Sequence, residues 1–253
     1  MDEKTVKLSL RGVSQSYVVG DAVRDAIVDI SLDVYDNEFL VILGPGQCGK
    51  TVLLNIIGGL ERPIEGDIRL DGRPVVGSHP RITMVFQKLA LMPWKTVMQN
   101  VGFGPEIAGE ARRDWFLEAQ KCIDLVGLNG FEKSYPHELS GGMKQRVGIA
   151  RAYASDPEIL LMDEPFGQLD AQTRYAMEIE IQRIWQQERR TVVFVTNNIE
   201  EAVYLGDRIV LLSKWPARIK AVYEPDLPRP RNMTDPRFLA IRKTIADNMD
   251  LAL

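Results

Sequence analysis

Five short, nearly uninterrupted apolar runs punctuate the chain: 39–43, 82–86, 159–162, 191–195 and 209–212. Each is bounded by polar residues, Gly or Pro, the pattern of strands covered on both faces. Between them the period changes to that of a helix. Over 173–189, Met177, Ile181, Ile184 and Trp185 recur at i, i+4, i+7 and i+8, while Glu178, Glu180, Gln182 and Arg183 take the other side. Residues 51–60 and 110–126 also read as helices, and another runs from the Ser140-Gly141-Gly142 turn to about Ala154. Strands alternating with helices predict an α/β architecture. The stretch from Leu89 to His137 has no convincing strand, which predicts a helical insertion between two strands. Beyond Trp215 the chain is Pro-rich (Pro216, Pro225, Pro228, Pro230, Pro236), and a helix is expected from Pro236 onward. That tail is expected to pack on the surface as an appendage.

Composition narrows the class. Of 253 residues, 31 are Lys or Arg and 35 are Asp or Glu, a net charge of −4. No excess of positive charge exists to release counterions from a phosphate backbone, so a nucleic-acid partner is not expected. The longest charge-free run, Phe39 to Gly49, has eleven residues. That is short of the ~20 needed to span a bilayer, so no direct membrane insertion is expected. No apolar stretch follows Met1-Asp2-Glu3-Lys4, so no secretory signal is expected either. Two cysteines, Cys48 and Cys122, make no disulfide framework and point to a reducing, cytoplasmic compartment. Only two histidines, His79 and His137, are present.

Three motifs carry chemistry. Gly44-Pro45-Gly46-Gln47-Cys48-Gly49-Lys50-Thr51 fits G-x-x-x-x-G-K-[ST] and lies between a predicted strand and the helix that continues through Val52. Backbone N–H groups of such a loop and of the helix start form a nest for phosphate oxygens. Lys50 would add charge at the β- and γ-phosphates, and the Thr51 hydroxyl would coordinate Mg²⁺. Next, the strand 159–162 runs into Asp163 and Glu164, placing acid at the carboxyl edge of a sheet, where α/β folds bind ligands. Asp163 would hold Mg²⁺ and Glu164 would polarise an attacking water. Third, Leu139-Ser140-Gly141-Gly142-Met143-Lys144-Gln145-Arg146 opens a helix and offers a second anion site or, read alone, a simple N-cap. Two phosphate-binding helix ends with one lysine loop suit a nucleotide shared between two protomers.

In this order, over nearly the whole chain, these motifs resemble the nucleotide-binding subunit of ABC transporters. The resemblance implies a P-loop NTPase of the ABC-ATPase fold, with a RecA-like mixed sheet core, an antiparallel β subdomain and an inserted helical subdomain. It implies a single domain over 1–253: a core with the β subdomain at 1–88 and 155–215, a helical subdomain with the signature motif at 89–154, and the appendage at 216–253. Gly44–Thr51 is similar to the Walker A loop, Asp163-Glu164 to Walker B, 139–146 to the signature and Phe166–Asp170 to the D-loop. Gln87 falls at the Q-loop glutamine, which senses the γ-phosphate and Mg²⁺. Tyr17 falls where the family stacks an aromatic on adenine; a plain surface or core tyrosine is the alternative. The implied ligands are ATP and Mg²⁺. The implied partners are transmembrane permease subunits, a second ATPase subunit (identical or different) and, indirectly, a substrate-binding protein, with this chain peripheral on the cytoplasmic face of the membrane.

Finer features resemble the nitrate/sulfonate/taurine import group, with bicarbonate-type members. They are Gln87 followed by Leu91-Met92-Pro93-Trp94-Lys95-Thr96-Val97, then Leu227-Pro228-Arg229-Pro230-Arg231, and Asp235-Pro236 with Phe238. Trp94 would contact the permease, or else simply pack in the core.

Two positions depart from the family, both at the γ-phosphate. After the strand 191–195 the family has Thr-His-Asp, whereas this chain reads Thr196-Asn197-Asn198. An Asn amide still donates a hydrogen bond but neither titrates nor carries charge. Neither His79 nor His137 falls where the missing histidine acts. The Walker loop reads Gly46-Gln47 where the family has Ser-Gly. A positive φ at Gln47 would cost on the order of 1 kcal/mol unless Gly46 takes up the change. ATP binding is therefore expected to persist with slow hydrolysis. The alternative is a largely non-catalytic subunit paired with a different ATPase. A DNA-repair or translation ATPase, with coiled-coil insertions or tandem cassettes, does not fit in 253 residues.

Overall fold

A computed structural model describes residues 5–249; the ends of the predicted domain and appendage, 1–4 and 250–253, lie outside the described residues. The chain divides into two compact units, one built from residues up to 79 and from 190 on, the other from 80–189.

The first unit holds two sheets. In the antiparallel one, β1 (Val6–Val19) pairs with β2 (Ala22–Tyr35) and with β4 (Glu65–Leu70), which also pairs with β5 (Arg73–Pro74). One face is buried through Leu8 and Leu10 of β1 and Ile30, Leu32 and Val34 of β2, while Ser31 between them is exposed. In the second sheet, β3 (Phe39–Leu43) lies between β8 (Thr191–Thr196) and β9 (Arg208–Leu212), parallel to both; β10 (Ile219–Tyr223) closes the edge antiparallel to β9, making the sheet mixed. Every residue of β3, β8 and β9 is buried, as the unbroken apolar runs predict. Among the described residues, three helices accompany it: α1 (Lys50–Ile57), α7 (Ile199–Leu205) and α8 (Pro236–Asn248).

The second unit pairs β6 (Ile82–Val85) in parallel with β7 (Ile159–Asp163) and inserts between them α2 (Val97–Val101), α3 (Phe103–Ile107), α4 (Arg112–Leu125) and α5 (Gly141–Tyr153). After β7 comes α6 (Ala171–Glu188), which buries Met177, Ile181, Ile184 and Trp185 as its periodicity requires, but also Glu178 and Gln182, which that periodicity put on the polar side.

Three differences from the sequence reading have physical causes. The first helix stops at Ile57 rather than Leu60, because Gly58 caps it and Gly59 turns left-handed (φ 69°), where a Cβ would lie 2.0 Å from Gly77 O. A strand, β10, interrupts the stretch after Trp215; as an edge strand with alternate residues exposed, it lacks the apolar run of a covered one. The tail is also less peripheral than an appendage, since Arg231, Phe238 and Ile245 are buried.

Candidate functional site

In the first unit the loop 44–49 joins β3 to α1, and contacts fix two of its glycines. A Cβ on Gly44 would stand 2.8 Å from Cys48 Sγ, itself buried beneath the loop. Gly49 has φ 118°, and a Cβ there would meet Ala26 O and Ile27 Cγ2, each at 2.9 Å. Gly46 differs: nothing lies within 4 Å of the place its Cβ would take. Gly49→Ala is expected to cost about 2–4 kcal/mol in denaturant unfolding, from strain and overlap together. Gly46→Ala is expected to leave stability unchanged or raise it by about 0.4–1 kcal/mol, yet weaken ATP in equilibrium binding, because the methyl occupies the open cradle.

Lys50 is 4% exposed, and its Nζ donates to Gly44 O (3.0 Å) and Pro45 O (2.8 Å), so the loop's own carbonyls hold the ammonium inside the turn. The N-cap of α1, Gly49, makes no side-chain cap, and the positive amino end of a helix attracts an anion. Thr51 is exposed and Val52 half-buried behind it. Lysine, N–H groups and an open glycine face fit a nucleotide's phosphates. Gln47 carries φ 60°, whereas Gly46 is not left-handed, so Gly46 does not take up the departure and the strain stays on Gln47.

Asn197 stands beside this loop. Leu43 of β3 is in register with Thr196 of β8, and Gly44 N donates to Thr196 O (3.4 Å). The phosphate loop and the exposed Asn197 thus leave neighbouring parallel strands at one level. Tyr17, on β1, is 37% exposed, and its hydroxyl donates to Glu61 Oε1. Burial, then the Glu61 carboxylate, push its pKa up to about 12 and keep the phenol neutral.

The second unit repeats the device. Val85 of β6 pairs with Met162 of β7, so Gln87 and Glu164 each stand two residues past that pair. Asp163 is buried at the strand end and Glu164 half-buried; Glu164 is left-handed (φ 40°), and its carbonyl accepts from Gly167 N (3.1 Å). Strain at a carboxylate on a strand end is what functional sites store. A single buried carboxylate suits Mg²⁺, which is held by one or two carboxylates plus substrate phosphates rather than by an all-protein cage.

Ser140 caps α5, its Oγ accepting from Met143 N (3.3 Å), and Ser140 and Gly141 are exposed. Gly142 has no room for more, since a Cβ would lie 2.9 Å from Thr173 Cγ2 in the first turn of α6. Asp170 caps that helix: Oδ1 accepts from Thr173 N (3.0 Å) and Oδ2 from Thr173 Oγ1 (2.7 Å). These bonds hold its carboxyl below the usual carboxylate range. Signature and D-loop therefore meet through Gly142, Thr173 and Asp170. Gln145, 3% exposed, is buried rather than presented on that surface. Trp94 is 73% exposed, which removes core packing as its role.

Residues 27–167 match the family model described as ABC transporter. The chain belongs to that family. An uncharacterized ABC transporter ATP-binding protein of Methanocaldococcus jannaschii is 50% identical over 96% of this chain and 91% of its own length. The aliphatic sulfonates import ATP-binding protein SsuB of Bacillus cereus is 39% identical, with 96% of each chain covered. The taurine import ATP-binding protein TauB of Jannaschia sp. is 42% identical over 85% of this chain and 81% of its own. Among solved structures, the dimeric bacterial ABC transporter cassette MJ0796 superposes with a TM-score of 0.75 at 29% identity, covering 89% of this chain and 99% of that one. A post-hydrolysis form of the same cassette, bound to ADP and Pi, gives 0.74. The chain has the ABC-ATPase fold and is an ABC-type ATPase that binds ATP.

The sequence reading missed the polar residues that hold the ABC cassette's site from behind. Thr196 Oγ1 donates to Glu201 Oε2 (2.5 Å), with both residues buried. Arg229 and Arg231 donate into the same region from the Pro-rich tail. The only signal for the arginines was the Leu-Pro-Arg-Pro-Arg string, read above as a subgroup marker.

Proposed function

We propose that this chain is the energy-coupling subunit of an importer of small anions such as sulfonates, taurine, nitrate or bicarbonate. One observation above others supports the reading: a buried lysine inside a phosphate loop that leaves the sheet level with Asn197. The sulfonate and taurine import relatives support the solute class.

Residues Gly44 to Val52 take the ATP phosphates, with Tyr17 against adenine. Thr51, Gln87 and Asp163 would hold Mg²⁺, which supplies charge neutralisation at the phosphate oxygens. Glu164 orients and deprotonates the attacking water, while Gln87 and Asn197 contact the γ-phosphate. Ser140, Gly141, Gly142 and Asp170 face the nucleotide of a second subunit, same or different, that closes head to tail on this one; Gln145, buried, is not part of that surface. Catalysis is positioning plus electrostatic stabilisation of the transferring phosphoryl group. Among the described residues no helix is long and apolar enough to cross a membrane, so permease subunits would supply the pathway and a substrate-binding protein the solute. Trp94 and a groove of about 710 Å³, lined by Lys95, Gln99, Trp115 and Phe116 among others, would receive the permease on the cytoplasmic face.

Uptake of labelled taurine, alkanesulfonate, nitrate and bicarbonate into proteoliposomes holding the assembled transporter tests this reading. ATP hydrolysis without uptake of any of the four overturns the solute class. Because Asn197 cannot titrate, Asn197→His is expected to raise the transporter's ATPase rate by ~100-fold, the low end for a positioned acid–base group. The variant's rate should also gain an inflection near pH ~6.5, absent from the wild type. Fast wild-type turnover with no gain in the variant sinks the slow-site idea. The second reading, a subunit that binds ATP without turning it over, is favoured by Asn197 and by the strain on Gln47. No phosphate release from this chain's own site would establish it; the presence of Glu164 argues for turnover.

A further inference from the structure

We propose that Arg231 is a positioning residue for ATP hydrolysis: it clamps the carboxyl end of α7, the helix whose amino end carries Asn197. This rests on the placement of Asn197 at the γ-phosphate given above.

Helix α7 has only seven residues, too short to persist without tertiary support. Its amino end is locked. Asn198 Oδ1 accepts from Glu200 N (2.8 Å) and Glu201 N (3.4 Å), and Asn198 N donates to Thr196 Oγ1 (3.0 Å). Thr196 is tied in turn to the buried Glu201. Asn197 therefore sits between two residues that α7 itself holds in place.

The other end of a helix leaves its last carbonyls without intrahelical partners. Here two guanidinium groups take them all. Arg231 Nη1 donates to Val203 O (2.6 Å), Gly206 O (2.6 Å) and, at the limit, Tyr204 O (3.5 Å), while Nη2 donates to Pro225 O (3.1 Å). Arg229 Nη2 takes Leu205 O (2.5 Å) and Asp207 Oδ1 (2.7 Å). Asp207 Oδ2 accepts from the backbone N–H of Phe39 (2.9 Å), where β3 begins on its way to the phosphate loop. The sign is right too, since cations complement the negative end of a helix.

Arg231 is the centre of the clamp, being 6% exposed and bound to several carbonyls in different directions. Burial, with Arg229 nearby, lowers its pKa to about 10, so it remains cationic at neutral pH. A planar fork serves separated carbonyls as an ammonium does not, so Lys is no equivalent. Pro228 and Pro230 flank Arg229 and fix φ on both sides of it, which holds the strap in shape before it binds. Helix α8 also packs against α7, and its ion pair there, Arg242 to Glu200 (3.0 Å), is half-exposed on both sides and worth little.

The test uses the full chain with Arg231→Met, Arg231→Lys, Asn197→Ala and the double variant Arg231→Met/Asn197→Ala. It reads kcat, ATP affinity and amide hydrogen exchange in α7. Arg231→Met is expected to speed exchange at Ala202–Leu205 and to lower kcat ~2- to 30-fold, the range for a residue acting through a network. ATP affinity should be unchanged, and the double variant should be no slower than Asn197→Ala alone. Arg231→Lys should fall between, and it carries the comparison if the Met variant does not fold. Unchanged exchange in α7 overturns the clamp whatever Asn197 does. Faster exchange with unaltered kcat, or losses that multiply in the double variant, show that Arg231 does not act through Asn197 and overturn the proposal. If Asn197→Ala alone leaves kcat unaltered, the reading of Asn197 is what failed, and the proposal falls with it.

Discussion

Lys50→Met is expected to weaken ATP binding by on the order of 100- to 1,000-fold, the scale for removing one preorganised donor in a site of this kind. Lys50 is 4% exposed, and its ammonium is already held inside the turn, bonded to Gly44 O and Pro45 O. ATP therefore meets a charge that is desolvated and aimed in advance. Methionine keeps an unbranched apolar stem and removes the ammonium. It also leaves two carbonyls short of a donor, so part of the effect should appear as a lower Tm. Nucleotide binding by equilibrium dialysis, with a thermal melt alongside, separates the two. Undiminished ATP affinity in a folded Lys50→Met variant would mean that the loop binds no phosphate.

Glu164→Gln acts on a different step. The side chain keeps its shape and loses its ability to accept a proton from water, so the hydrolysis rate is expected to fall ~100- to 10,000-fold. ATP binding should persist, because the phosphate loop is untouched. The expected signature is a nucleotide-bound dimer that accumulates on size-exclusion chromatography and releases no phosphate in a single-turnover assay. Release at the wild-type rate would assign the base elsewhere. The left-handed φ of 40° at Glu164 adds a control, since Glu164→Gly relieves that strain and also removes the carboxylate. It should be the more stable of the two variants and equally inactive.

Strands covered on both faces announce themselves as apolar runs, which is why β3, β7, β8 and β9 were legible almost residue by residue. The long strands β1 and β2 carry their pattern as alternation, Ile30-Ser31-Leu32-Asp33-Val34, and bulges near Gly12 and Asp29 break its phase. A reading tuned to continuous runs passes over them, and the antiparallel sheet entered only through the resemblance. The candidate site was legible where a motif is local, as in Gly44–Thr51 or Ser140–Gly142. Its support was not. The Thr196–Glu201 bond and the arginines that close α7 join residues whose chemistry depends on where the fold puts them, and no spacing rule announces that. The left-handed φ at Gln47 was an open question in the sequence, because either Gly46 or Gln47 was able to bear it; only the backbone decides.

The buried strands have a genetic consequence. Asn197 follows the end of β8 and the loop that carries Lys50 leaves the end of β3; the interior residues of both strands, Val41 and Phe194 among them, are fully buried and paired in register. A methyl group lost from that layer shifts the strand ends as surely as a change in the loop does. Random mutagenesis scored by loss of uptake will therefore return core positions beside catalytic ones, with the same phenotype. Nucleotide affinity and melting temperature, measured on each isolate, are what sort the two classes.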